Sequence, residues 1–165
     1  CGTVIAIPLL NVYGFINYSR DLPDGKDINR SFPGNSKGSL ASRVAKKLTQ
    51  HILPLVDFGI DFPTGGKSIH NVPQIRIDAS LKEAEALAKK FGSRFIIKSK
   101  LIPRSLRKEC NRRKIPMLVF EGGESLRLDQ ESITVGVRGI KNILLAHKMI
   151  SDHKKTIGKN IVIWR

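Results

Sequence analysis

The nine residues IPMLVFEGG, at positions 115–123, decide the fold class of this chain. The first six are all apolar, which is typical of a strand buried on both faces. Glu121 ends the apolar run, and two glycines follow it. In α/β folds the working groups lie on loops at the carboxyl ends of strands, where a glutamate can act as a general base or acid. Glu121 is therefore a candidate catalytic residue, and the alternative is a solvated loop glutamate.

Similar apolar runs occur on both sides of this strand along the chain. They predict further strands at residues 3–10, 56–62 and 94–99, and a shorter one at 74–77. Helical spacing and capping residues predict helices at residues 39–53, 81–91, 105–114 and 129–151. Strands that alternate with helices indicate an α/β fold, with a mostly parallel or mixed sheet and helices on both faces.

The chain of 165 residues is predicted to be a single partial catalytic domain over residues 1–165. Cys1 leads almost directly into a predicted strand, and residues 160–165, NIVIWR, indicate a strand that stops in mid-element. Natural domains usually end in polar, mobile residues. We therefore expect a domain that is incomplete at both ends, with its upstream and downstream parts missing.

The composition is that of a globular protein with a strongly basic surface. Hydrophobic residues make up 41% of the chain, and the net charge is +15. The charge alone would fit a nucleic-acid-binding domain, but no nucleic-acid motif is present and aromatic residues are only 6%. A small anionic partner fits the charge better.

Neither a membrane span nor a disulfide framework is visible in the sequence. No apolar run has the length of a membrane span. Cys1 and Cys110 have no framework spacing, so we expect a cytoplasmic protein, although one disulfide between them is compatible with the sequence.

The loop segment RDLPDGKDINRSFP, at residues 20–33, contains the second group of candidates. Arg20 and Arg30 are permanent cations whose planar guanidinium groups hold carboxylates or a developing oxyanion. Asn29 adds an amide that both donates and accepts hydrogen bonds. The alternative is a plain turn, because Pro-Asp-Gly and Asn are strong turn formers.

Taken together, these residues lie in stretches that resemble the succinylglutamate desuccinylase and aspartoacylase family, a branch of the zinc carboxypeptidase-like fold. The matching stretches are IPLLNVYGF at 7–15, RDLPDGKDINRSFPG at 20–34, GSLASRVA at 38–45, DFGIDFPTGG at 57–66, HNVPQIR at 70–76 and VFEGGES at 119–125. The resemblance spans nearly the whole chain, and its Asp-x-Asn-Arg block is fairly specific.

The resemblance implies a zinc-dependent deacylase that hydrolyses the amide bond of a small anionic N-acyl amino acid. It implies that Glu121 handles protons and that Arg20 steadies the carbonyl oxygen. Asn29 and Arg30 would line the site and hold a substrate carboxylate. We expect these side chains to converge on one pocket with the loop of Pro63.

The chain departs from the family at the zinc ligands. A His-Gly-x-Glu type motif is expected to precede residue 3, and a further His is expected where this chain has Pro63. Proline has no metal-binding side chain, so zinc is expected in the full-length protein but not in this chain. His70, seven residues on, is a distant substitute. The rival functions are a non-catalytic relative that lost its zinc site and a basic nucleic-acid-binding domain.

Overall fold

The computed structural model describes residues 2–64, 69–151 and 161–164. The chain forms two compact units. Unit 1 comprises Cys1–Gly2, Gly59–Lys100 and Pro116–Arg165, and unit 2 comprises Thr3–Phe58 and Leu101–Ile115. The predictions that concern Cys1, Gly65, Gly66, Asn160 and Arg165 lie outside the described residues.

Unit 1 is built on a five-stranded mixed sheet. Its strands are β1 (Gly59–Asp61), β2 (Asn71–Ile77), β3 (Phe95–Lys98), β4 (Met117–Gly123) and β5 (Val162–Trp164). They lie in the order β1-β4-β2-β3-β5, and only the β2–β4 pair among them is antiparallel. The α/β class with a mixed sheet, predicted from the alternating elements, is confirmed.

The helices lie close to their predicted positions. The α-helices of the described residues are α1 (Val12–Ile16), α2 (Leu40–His51), α3 (Lys82–Phe91), α4 (Leu106–Arg112) and α5 (Gln130–Ala146). Side chains that accept a backbone N–H begin several of them, as Ser39 does for α2 and Asp129 does for α5. The short helix α1 was not predicted, because its segment looked like part of a long loop. No helix in the described part of the chain has both the length and the apolar character needed to cross a membrane.

One face of the sheet forms the core of unit 1 under α3 and α5. Side chains alternate along a strand, so Leu118 and Phe120 of β4 share this face with Ile75 of β2. The Phe120 ring lies 5.5 Å from the Phe91 ring of α3. Gly139 of α5 packs against the same Phe91 ring, where an added Cβ would overlap the ring atoms.

The opposite face of the same strands is polar. Glu121 of β4 pairs in register with Gln74 of β2, and Arg76 is the next residue of β2 on that face. Asp61 of β1 pairs with Val119, so it shares this face as well. The alternation therefore gathers two carboxylates and a guanidinium on one side of three neighbouring strands.

Strand β2 contains a bulge between Asn71 and Gln74. Gln74 pairs with Glu121 and Asn71 pairs with Gly123, so three steps on β2 match two steps on β4. Pro73 lies within the bulge, which is where a residue without an N–H is tolerated in a sheet. The sequence predicted this strand only from Gln74, because Pro73 appeared to mark its beginning.

Unit 2 has its own small core around α2. It consists of buried apolar residues from the loop before α2 and from the helix itself, namely Leu22, Ile28, Phe32, Ala41 and Ala45. Ser105 caps α4, which leads back toward unit 1 along the chain.

The prediction of a buried strand at residues 3–10 is wrong. This segment has no strand pairing in the described structure, and its large apolar side chains, including Val4 and Ile7, are exposed. A β-branched apolar run forms a strand only where another strand satisfies its backbone groups, and none of the described strands pairs with it. The other predicted strands, at residues 56–62, 74–77, 94–99 and 115–120, are all present in the sheet.

Candidate active site

Glu121 lies inside β4 and not in a loop after it, because the strand continues through Gly123. Its side chain is 20% exposed. Asn71 Nδ2 donates a hydrogen bond to Glu121 Oε2 at 3.3 Å, and Arg76 Nε lies 3.0 Å from the same oxygen. The carboxylate is thus held at one oxygen by two side chains of the neighbouring strand.

The contact between Arg76 and Glu121 is an ion pair without a well-aligned hydrogen bond. The Nε–H group does not point at Oε2, and this buried N–H has no hydrogen-bond acceptor among the described residues. The Arg76 side chain is 37% exposed, so the guanidinium also reaches solvent.

Asp61 is the second carboxyl group on this face. Burial raises the pKa of Asp61, a backbone hydrogen bond from Phe62 lowers it, and the nearby charge of Glu121 raises it further. A carboxyl group with a raised pKa beside a second carboxylate is suited to acid–base work.

The candidates of unit 2 are arranged around a carboxylate that the sequence did not single out. Asp27 Oδ2 lies 2.8 Å from Arg20 Nε and 3.9 Å from Arg30 Nη1. The Asp27 side chain is 16% exposed, whereas those of Arg20 and Arg30 are 62% and 43% exposed. The Arg20 guanidinium is therefore held at Nε and that of Arg30 lies near the same carboxylate through Nη1, while both stay open to solvent.

Asn29 is held on two sides within the same cluster. Its backbone N–H donates to Asp27 Oδ1 at 2.7 Å, and its side-chain Oδ1 accepts a hydrogen bond of 2.8 Å from the Leu106 N–H. Arg30 Nη1 in turn donates to the Asn29 carbonyl at 2.7 Å. Asn29 therefore has a structural role at the start of α4, and its implied contact with substrate stays a prediction.

Comparison with known proteins identifies the family. A family model described as the succinylglutamate desuccinylase/aspartoacylase catalytic domain matches residues 1–147. The chain belongs to the succinylglutamate desuccinylase/aspartoacylase family. Its members named in these comparisons remove acyl groups from N-acyl amino acids by cleaving an amide bond.

Individual relatives of this family agree with the match. The N-alpha-acetyl-L-2,4-diaminobutyric acid deacetylase of Halomonas elongata is 29% identical over 157 residues, which cover 90% of this chain and 46% of the relative. The crystal structure of a succinylglutamate desuccinylase/aspartoacylase from Rhodobacter sphaeroides is 31% identical, with a TM-score of 0.77 over 85% of this chain and 43% of that one.

A second solved structure shares the fold. The product-bound ectoine utilization protein EutE of Ruegeria pomeroyi has a TM-score of 0.83 at 23% identity, over 94% of this chain and 49% of its own. The chain thus spans about half the length of these relatives.

The predicted site residues fall into two groups. Glu121 and Pro63 lie in unit 1, whereas Arg20, Asn29 and Arg30 lie in unit 2 and are in mutual contact. Their convergence on one pocket stays a prediction.

Four partners of the site were missed from the sequence: Asp27, Asp61, Asn71 and Arg76. The sequence contains only weak features that could have pointed to these four residues. The Asp-x-Asn spacing is typical of a turn, and the alternation along β2 places Arg76 on the face of Glu121.

Pro63 contacts an apolar environment and not a cluster of metal ligands. Together with Phe62, Phe120 and Ile140 it lines a mostly apolar, open cavity of about 350 Å³ next to α5. No group of three His, Cys, Asp or Glu side chains among the described residues is arranged to hold a metal ion. His70 Nε2 lies 3.8 Å from Asp129 Oδ2. The zinc ion implied by the family therefore does not fit the described residues alone.

Proposed function

We propose that this chain is part of the catalytic domain of a deacylase that hydrolyses the amide bond of a small anionic N-acyl amino acid. The observation that carries the proposal is the Glu121 carboxylate, fixed at Oε2 by Asn71 and Arg76 in a chain of this family. An amide hydrolase needs a proton-handling carboxylate whose position is set before the substrate arrives.

In this proposal Glu121 moves the proton that hydrolysis requires. Water attacks the acyl carbon and forms the new C–O bond, and Glu121 accepts the proton that the water loses. The C–N bond then breaks, and Glu121 gives this proton to the departing amine nitrogen. The products are the free carboxylic acid and the amino acid, and Glu121 returns to its starting state.

The arginines of unit 2 are proposed to bind the negative charges of the substrate. Arg20 and Arg30 contribute two positive charges, and Asp27 offsets one of them, so the cluster keeps a net positive charge. Their guanidinium groups are exposed, which leaves N–H donors available for a carboxylate or a developing oxyanion. This role supports an acidic substrate and agrees with the basic net charge of the chain.

Zinc enters the proposal only as a cofactor of the complete protein. The described residues supply no ligand cluster, and Pro63 stands at the position where the family resemblance implies a histidine. A complete zinc site would need ligands from outside the described residues, and no catalytic step above depends on the ion.

A non-catalytic relative is the second candidate function, and Pro63 is the observation that favours it. Such a protein would keep the fold and the Arg20–Arg30 anion site but would lack turnover. The cavity wall that Pro63 shares with Phe62 supports a packing role for this position.

The two candidates are separated by assaying the complete protein with N-acetyl and N-succinyl amino acids. For a deacylase, Glu121→Gln lowers kcat by about 100- to 10,000-fold, because it removes the proton acceptor. Substrate affinity, measured by calorimetry, changes little because glutamine has nearly the same shape as glutamate. Glu124→Gln is the matched control, because Glu124 pairs with the exposed Arg127 at 2.9 Å. Binding without any turnover in the unaltered protein would support the non-catalytic relative.

A further inference from the structure

Two side chains of β2 meet a single oxygen atom of Glu121. Asn71 Nδ2 is 3.3 Å from Oε2, and Arg76 Nε is 3.0 Å from it. Within the described residues, the polar contacts of Glu121 fall on Oε2. The other oxygen, Oε1, is therefore the one that a reacting group can use.

We propose that Asn71 and Arg76 are positioning residues that fix the Glu121 carboxylate, so that Oε1 alone handles the proton. The proposal rests on the proposed deacylase function. A side chain with several rotatable bonds loses catalytic power if it samples many orientations, and two anchors on one oxygen restrict both its position and its rotation. Neither anchor needs to touch the substrate for this effect.

The backbone explains why Asn71 reaches Glu121. In a regular antiparallel pair the register of Gln74 with Glu121 would place Val72 opposite Gly123. The bulge adds one residue, so Asn71 takes that position and its side chain turns to the face of Glu121. The contact with Asn71 is thus a product of an irregularity in β2.

Arg76 adds a charge effect to the positional one. On this face of unit 1, Glu121 is flanked by the Asp61 carboxyl of β1 and by the Arg76 guanidinium of β2. Two carboxylates side by side repel each other, and the cation opposes that repulsion. Replacing Arg76 by a neutral residue should therefore remove both an anchor of Glu121 and the cation beside the two carboxyl groups.

The first test measures deacylation by the complete protein. Arg76→Met and Asn71→Ala should each lower kcat by about 10- to 100-fold, with little change in KM. Arg76→Lys keeps the positive charge and should recover part of the kcat that Arg76→Met loses. Arg127→Met is the matched control, because it removes an arginine from the exposed ion pair with Glu124.

The second test needs no turnover, so it separates this proposal from the proposed function. The side-chain carboxyl carbons of ¹³C-labelled glutamate are followed by NMR relaxation at one pH, and the Glu121 signal is identified by its loss in Glu121→Gln. The Glu121 carboxylate should reorient faster in Asn71→Ala and in Arg76→Met than in the unaltered protein, and should be unchanged in Arg127→Met. Unchanged reorientation in both β2 variants, or kcat values of both β2 variants equal to those of the unaltered protein, would overturn the proposal.

Discussion

The Asp27 carboxylate binds the Arg20 guanidinium at 2.8 Å through Oδ2. Its other oxygen accepts a hydrogen bond from the backbone N–H of Asn29, and Arg30 lies 3.9 Å from Oδ2. One partly buried acid therefore organises all three unit 2 residues that the family resemblance implicates. The Asp27 side chain is far less exposed than those of Arg20 and Arg30, which fits an organising role.

Removing Asp27 should loosen this cluster. In the complete protein we expect Asp27→Ala to raise KM for anionic substrates about tenfold, since the loss of one charge-assisted contact costs about 1.5 kcal/mol. Asp27→Asn should recover part of the loss by accepting the Asn29 hydrogen bond. Steady-state kinetics provide the measurement, and the exposed Asp21→Asn serves as control. Equal KM values in Asp27→Ala and in Asp21→Asn would contradict the organising role.

Replacing Arg30 should change specificity more than rate. Arg30→Ala should weaken binding of substrates that carry a free carboxylate about tenfold or more, and should affect their neutral amide analogues much less. Comparison of KM for each acid and its amide measures the difference. Arg43→Ala removes an exposed arginine from α2 and is the matched control. A similar loss for acids and amides would exclude a carboxylate contact.

Zinc should not bind tightly to the 165-residue chain as it stands. A lone ligand displaces too little water from the ion, because structural and catalytic zinc sites use at least three protein ligands. Elemental analysis after dialysis should therefore find far less than one zinc ion per chain, and Pro63→His should not change this result. One zinc ion per chain that is lost on chelation would prove the prediction wrong.

Gly139 should be more sensitive to alanine than its neighbour Gly136. Alanine in a helix normally adds about 0.5–1 kcal/mol relative to glycine. At Gly139 the new methyl group would overlap the fully buried Phe91 ring, and overpacking of this kind costs about 1–3 kcal/mol. At Gly136 the nearest atom is Phe62 Cε1 at 3.3 Å. Urea unfolding should show a net loss for Gly139→Ala only, and equal stability of both variants would contradict the close approach.

Acid should weaken unit 1 partly through Glu85. Hydrogen bonds to Lys98 and Lys89 lower the pKa of Glu85 from 4.5 to about 2. Because the folded pKa lies below the unfolded one, this stabilisation is fully present above about pH 4.5 and is lost as the pH falls toward 2. The unfolding free energy of Glu85→Gln should fall less between pH 5 and about pH 3 than that of the unaltered protein or of the exposed Glu83→Gln. If the unfolding free energies of all three proteins fall equally with pH, Glu85 does not contribute to the acid sensitivity of unit 1.

The sequence predicted elements best where local pattern and tertiary context agree. The apolar run that forms β4 has strands on both sides, so its pattern and its pairing point to the same structure. The run at residues 3–10 has the same pattern, but no described strand pairs with it, and pairing is not a local property of sequence.

The candidate site shows the same division between local and long-range information. Glu121 and Arg20 were found because residue type, spacing and family resemblance single them out. Asn71 was missed because its contact with Glu121 depends on an irregular register between segments that are 50 residues apart. Asp27 was missed because an acid before Asn is typical of an ordinary turn.

The bulge in β2 makes the surroundings of Glu121 depend on the number of residues in the strand as well as on their identity. Deleting one residue between Asn71 and Gln74 would restore a regular ladder, in which Asn71 stands two residues before Gln74 and stays opposite Gly123 on the face of Glu121. A relative without the extra residue would thus present the residue two positions before Gln74 to the same glutamate, where this chain presents the residue three positions before it. A sequence alignment without a gap at the bulge would pair residues that occupy opposite sides of the sheet. A relative that lacks asparagine in the alignment column of Asn71 could therefore still have one facing the glutamate.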